Sequence, residues 1–87
     1  MSDLPIYDSN GYRLTELVPV IATFDTEGHL RPIYVRIHGT QFKVDSSYVK
    51  HKSLSCTIFS CKVIDGDRIR ILILNYYHAK QVWGVTV

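Results

Sequence analysis

The chain of 87 residues is poor in cysteine, and this excludes a disulfide-rich scaffold. Its two cysteines, Cys56 and Cys61, lie an odd number of positions apart. They should therefore face opposite sides of a strand, which disfavours a bridge between them. The N-terminus lacks the basic region and apolar run of a secretory leader. We therefore expect reduced thiols and a cytoplasmic location.

Long apolar runs and helical patterns are also missing. The longest apolar stretch, Ile69 to Leu74, is interrupted by Arg70, and a membrane helix needs about 18 such residues. Alanine occurs only twice, and no window repeats apolar residues at helical spacing. The sequence predicts neither a membrane helix nor a helical fold.

Recognisable catalytic motifs are absent as well. The chain has no glycine-rich phosphate loop, no paired catalytic carboxylates and no nucleophile motif. The histidines and cysteines lack the close ligand spacing of zinc sites. The four histidines are His29, His38, His51 and His78. We expect no catalytic residue, no metal site, no cofactor and a non-enzymatic role.

The residues that are abundant favour β-structure. Valine, isoleucine and threonine make up 24 of the 87 residues, and their branched side chains pack well on sheets. Alternating runs between turn signals predict strands near 18–24, 30–37, 40–45, 56–64, 67–76 and 81–86. The expected fold is all-β: an antiparallel meander of five or six strands forming a small open barrel. Residues 18–87 would form a single β-domain, and residues 1–17 an N-terminal segment or lid.

The hairpin around His38-Gly39 has a register that the apolar pattern fixes. A two-residue loop pairs Val35 with Phe42 on one face. The same loop leaves Tyr34 opposite Lys43 on the other face. No adjustment is needed, so we predict this register.

The hairpin near residue 65 needs a longer turn if its apolar residues are to share one face. A three-residue loop at 64–66, with Gly66 in a left-handed bulge, pairs Cys61 with Ile69. We therefore predict this bulged register. The expected core consists of Ile33, Val35, Phe42, Val44, Phe59, Cys61, Ile69, Ile71 and Ile73, closed by Trp83 or Val82.

The bulged register has a consequence for the outer face, because it places Lys62 opposite Arg68. Like charges in that position are destabilising unless they are solvated, matched by an acid or used to bind an anion. Small barrels bind single-stranded nucleic acid with basic groups and aromatic rings. The candidate residues are Tyr34, Arg36, Lys43, Lys62, Arg68 and Arg70. A merely solvated sheet face is the alternative.

Farther from the turn, the same register predicts apolar pairs on the outside of the sheet. The residues concerned are Ile58, Leu72, Leu74 and Tyr76. Such residues are rarely left in water. Either the N-terminal segment covers them as a lid, or a second copy of the chain does so in a homodimer.

Charge is unevenly distributed along the chain. Residues 1–30 contain five acidic residues and one arginine, whereas residues 31–87 contain nine lysines or arginines and three acidic residues. An anionic partner for the basic part would explain the asymmetry. The simpler explanation, which we favour, is that the acidic part folds against the basic part.

Three short patterns resemble the framework of short uncharacterised bacterial β-domains. They are Arg31-Pro32-x-x-Val35, Gly39-x-x-Phe42-x-Val44 and Trp83-x-Val85. Some similar domains are encoded near DNA-repair polymerases or on mobile elements. The resemblance implies a bacterial, cytoplasmic accessory protein and transfers no catalytic residue.

These observations lead to two hypotheses about function. The first is a non-enzymatic binding module for nucleic acid or for a nucleic-acid-handling protein, such as a DNA-repair protein. The alternative is a self-associating structural protein that uses its outer apolar strip.

Overall fold

The protein is built from β-strands. The computed structural model describes residues 6–7 and 13–86, with side chains from residue 15 to residue 86. Its strands are β1 (Ile6–Tyr7), β2 (Arg13–Val18), β3 (Val20–Phe24), β4 (Leu30–Ile37), β5 (Thr40–Lys52), β6 (Cys56–Asp65), β7 (Arg68–Tyr77) and β8 (Val82–Thr86). They form one antiparallel sheet in the order β1-β2-β8-β7-β6-β5-β4-β3. The predicted all-β antiparallel meander is confirmed. In the described part of the chain, no helix has the length and apolarity to cross a membrane.

The sheet curls because a single bent segment pairs with both sides of the meander. β2 pairs with β8, whereas β3, which follows after Pro19 alone, pairs with β4. Proline has no N–H to donate to a ladder, so it suits a point where a strand changes partner. Its carbonyl accepts a hydrogen bond from the Arg36 N–H at 3.0 Å. The result is an open half-barrel whose inner face holds the core.

The β4–β5 hairpin has the predicted register. Val35 is paired with Phe42, and Tyr34 with Lys43. His38 and Gly39 both have positive φ, 49° and 82°, as a two-residue type I′ turn requires. This prediction is confirmed.

The register predicted for the β6–β7 hairpin is wrong. Asp65 is paired with Arg68, so the turn is the two-residue loop Gly66-Asp67. Gly66 has a φ of 65°, and glycine with positive φ at the first central position is typical of a type II′ turn. Cys61 faces Leu72 instead of Ile69. This pairing inverts the two faces of β7 relative to the prediction.

The inverted faces of β7 change which residues belong to the core. Its buried members are Val35, Phe42, Val44, Phe59, Cys61, Val63, Leu72, Leu74, Trp83 and Val85. Ile69 and Ile71, predicted to be inside, are 63% and 58% exposed, because they alternate with the leucines that face inward. Ile73 is half-buried on the outer side. Ile33 is also half-buried, at a point where the pairing with β3 skips one residue.

The N-terminal segment contributes β1 and β2 to the sheet. Thr15 is paired with Thr86 at the start of the β2–β8 ladder, and its side chain is buried. The predicted lid over an outer strip depends mainly on residues outside the described side chains. The lid therefore stays a prediction.

Candidate nucleic-acid interface

The outer face of β4, β5 and β6 brings together four of the six predicted binding residues. Tyr34 pairs with Lys43, which in turn pairs with Ile64 on β6. Lys62 lies two residues from Ile64 and therefore shares its face. Arg36 lies two residues from Tyr34, nearer the hairpin turn. The three cations are exposed and the tyrosine is half-buried.

A bulge in β5 extends this face beyond the predicted end of the strand. The pairing with β6 shifts between Val44 and Ser46, so Asp45 is the extra residue. A bulge of this kind increases the local twist of a strand. Beyond it, Tyr48 lies on the outer face and is 65% exposed. Sequence reasoning missed Tyr48, because residues 46–52 contain no apolar alternation that marks a strand.

A cleft next to the bulge is formed by residues of β5, β6 and β7. It has a volume of about 510 Å³ and is lined by Ser46, Ser47, Tyr48, Ser60, Lys62 and Ile71. An aromatic ring, an ammonium group and several hydroxyls thus surround one depression. These groups can stack on a planar base, attract a phosphate and donate hydrogen bonds. We define the outer basic face as Tyr34, Arg36, Lys43, Tyr48 and Lys62.

The cations of the outer basic face are not neutralised within the described part of the protein. Among the side chains of residues 15–86, Arg36, Lys43 and Lys62 form no salt bridge. The acidic partners Asp25 and Asp65 bind His29 and Arg70 instead. The lysines and the arginine therefore present full charges to solvent.

Arg68 and Arg70 do not join the outer basic face. Arg70 is opposite buried Val63, and its Nη1 donates to Asp65 Oδ2 at 3.2 Å. Its guanidinium carbon lies 5.8 Å from the centre of the Phe42 ring. Arg70 therefore covers one end of the core. The predicted Lys62–Arg68 pair does not exist, since Lys62 is opposite Ile71.

The apolar strip predicted for the outer face lies mostly inside. Leu72 and Leu74 are core residues, and the Tyr76 ring packs 5.0 Å from the Trp83 ring, between ring centres. Of the four predicted residues, only Ile58 lies on the outer side, where it is half-buried and paired with Asn75. The correction follows from the two-residue turn. The residues that do form an outer apolar strip are Ile64, Ile69 and Ile71.

The cysteine thiols have the character of structural rather than reactive groups. Burial raises the pKa of Cys61 to about 12, and burial also raises the pKa of Cys56. Both thiols are therefore protonated at neutral pH, and the thiolate is the nucleophilic form. Among the described residues, no group of three His, Cys, Asp or Glu side chains is placed to hold a metal ion.

We expect Cys61 to resist alkylation in the folded protein. Iodoacetamide at pH 8 should modify it only after denaturant unfolds the chain, because the thiol is buried and protonated. The unfolded thiol ionises above its usual pKa of 9.0, whereas the folded thiol ionises near 12. Stability should therefore fall as the pH rises between these values.

Mass spectrometry of protein alkylated with and without denaturant checks this expectation. The Cys61→Ser variant identifies which peptide carries the label. Rapid modification of native Cys61 would contradict its position in the core.

Comparisons of the chain with protein-family models, curated proteins and solved structures gave no match.

Proposed function

We propose that the protein is a non-enzymatic module that binds single-stranded nucleic acid on its outer basic face. The observation that carries the proposal is the placement of two tyrosines on one sheet face beside three cations that form no salt bridge with the side chains of residues 15–86. Single-stranded nucleic acid is recognised by this combination, since bases stack on aromatic rings and cations hold phosphates.

The geometry suits an extended strand rather than a single phosphate. Tyr34 and Tyr48 are separated by about 15 Å, from a strand rise of about 3.3 Å per residue. Lys43 and Lys62 lie between them on adjacent strands. A chain crossing the face could thus alternate stacked bases with held phosphates. Recognition of this type depends little on base sequence.

The resemblance to bacterial domains encoded near DNA-repair polymerases agrees with this proposal. It favours a bacterial, cytoplasmic protein that accompanies nucleic-acid-handling enzymes. The outer basic face would then hold the single strands that such enzymes expose. Within this proposal no residue of the chain performs catalysis.

Removing the two central lysines should weaken binding and its dependence on salt. We expect Lys43→Gln/Lys62→Gln to lower the slope of log affinity against log salt by about 0.7 for each phosphate that the protein no longer neutralises. Fluorescence anisotropy with labelled single-stranded DNA and RNA measures this slope. Lys80→Gln is the control. Lys80 lies on the β7–β8 turn, and its replacement removes one positive charge, whereas the double variant removes two.

The stacking role is tested by Tyr48→Ala in the same assay. We expect about 5- to 150-fold weaker binding, from the usual contribution of one stacked base. Because Tyr48 is exposed, the fold should be retained, as circular dichroism can verify. The proposal fails if the wild-type protein shows no salt-dependent binding at low ionic strength. It also fails if Lys80→Gln reduces the slope as much as the double variant.

A second function, self-association, is favoured by the outer apolar strip. Ile64, Ile69 and Ile71 lie together on exposed sheet beside Lys62. Adjacent apolar residues on a surface commonly mark an interaction site. A wild-type dimer that dissociates in the Ile71→Asp variant would favour this function.

A further inference from the structure

The tip of the β5–β6 hairpin displays an isolated leucine. Leu54 lies between Ser53 and Ser55 and is 100% exposed. A leucine in this position gains nothing from the core of its own chain. It projects as an apolar knob beyond the end of the barrel.

The backbone around Leu54 is held firmly in place. The Ser53 N–H donates to the Cys56 carbonyl at 2.8 Å, and the Cys56 N–H donates to Ser53 Oγ at 3.2 Å. His78 fixes the tip from the neighbouring turn. Its backbone N–H donates to the Ser55 carbonyl, and its Nδ1–H donates to the Leu54 carbonyl, each at 3.0 Å. Ordering this tip on binding would therefore cost little conformational entropy.

A cavity opens next to the tip, and its lining combines apolar side chains with Lys52, His29 and His78. It has a volume of about 400 Å³, and Phe59 and Tyr76 belong to its lining. Phe24, also in the lining, is 65% exposed, and Val49 is half exposed. The cavity is large enough to accept a leucine side chain with part of its flanking backbone.

Opposite charges lie on the two sides of this region. Lys50 and Lys52 precede the leucine tip on β5 and are exposed. The β3–β4 turn on the other side of the cavity carries exposed Glu27 and exposed Asp25, whose Oδ2 lies 3.0 Å from His29 Nδ1. Asp25 Oδ1 accepts hydrogen bonds from the Glu27 and His29 N–H groups, each at 2.8 Å. The acidic turn is thereby held in one conformation.

We propose that two copies of the chain form a two-fold dimer in which each Leu54 enters the cavity of the partner. A two-fold axis makes every contact occur twice, so one surface must carry both a knob and a matching hole. This end of the barrel carries both. The same axis sets Lys52 of each copy against the acidic turn of the other. The interface is separate from the outer basic face.

The first test measures the dissociation constant of the dimer by sedimentation velocity over a concentration series. Leu54→Asp should raise this constant by more than about tenfold, because both apolar knobs are replaced by carboxylates. Leu54→Met, which keeps an apolar side chain, should leave it nearly unchanged. Ile71→Asp makes the same type of change on the outer apolar strip and should leave this dimer intact.

The second test reverses the charges across the interface. Lys52→Glu and Glu27→Lys should each weaken the dimer, and the double variant should recover most of the affinity. Circular dichroism establishes that each variant is folded. The proposal is overturned if the wild-type protein is monomeric at hundreds of micromolar. It is overturned equally if Ile71→Asp dissociates the dimer while Leu54→Asp does not, or if the charge double variant shows no recovery.

Discussion

Replacing Leu74 with alanine should lower the free energy of unfolding by about 2–5 kcal/mol, the usual cost of removing a buried leucine side chain. Leu74 is 0% exposed and lies between Phe59 and Val85 on the neighbouring strands. The truncation would leave a cavity that these side chains cannot fill. Urea unfolding followed by tryptophan fluorescence measures the destabilisation, since Trp83 belongs to the same core.

Ile71→Ala is the matched control, because it shortens an aliphatic side chain on the same strand. Ile71 lies on the outer face, so its truncation should cost less than about 1 kcal/mol, the span of strand propensities. Equal destabilisation by the two variants, or a larger effect at Ile71, would contradict the pairing of Asp65 with Arg68. The pair of variants therefore distinguishes the two-residue turn from the three-residue turn.

Gly84→Ala should destabilise the protein by about 1–3 kcal/mol, as overpacking does. The added Cβ would lie 2.9 Å from Thr15 Oγ1 and 3.0 Å from Thr15 Cβ. Thr15 is buried and its hydroxyl lies 3.0 Å from the Tyr77 hydroxyl. Neither side chain can move away without breaking this hydrogen bond. The clash should outweigh the roughly 0.5–1 kcal/mol that alanine normally gains over glycine in a strand.

A double-mutant cycle with Thr15→Gly isolates the clash. This substitution removes both threonine atoms that the new Cβ would meet, so Gly84→Ala should cost much less in that background. Thermal unfolding of the four proteins gives the coupling energy. Identical costs in both backgrounds would show that the close approach of β2 and β8 does not restrict position 84.

The β4–β5 hairpin shows how far local sequence can determine structure. The His38-Gly39 dipeptide accepts positive φ, and the turn pairs Val35 with Phe42, whose side chains both face the core. Turn chemistry and apolar alternation thus select the same register. Consequently, the positions of Tyr34, Arg36 and Lys43 in the candidate interface were predictable. Tyr48 was not, because a bulge at Asp45 carries β5 through a polar segment.

The β6–β7 hairpin shows where local sequence no longer determines which residues face the core. The run from Ile69 to Leu74 is apolar on both faces apart from Arg70, so alternation cannot distinguish inside from outside. In the structure the leucines fill the barrel and the isoleucines face outward. That choice determines whether Arg68 and Arg70 join Lys62. The orientation of β7 depends on how its residues pair with β6 and β8 in the sheet.

Local sequence was enough for the all-β antiparallel class and the β4–β5 hairpin, because both depend on neighbours a few residues apart. The faces of β7 and the pairing of β2 with β8 instead required the tertiary structure. Thr15 and Thr86 lie at opposite ends of the described chain, and no local pattern joins them. Their pairing follows from the bend at Pro19, which brings one segment to both sides of the sheet. Burial of the leucines within that curved sheet then determines which side chains remain outside in the candidate interface.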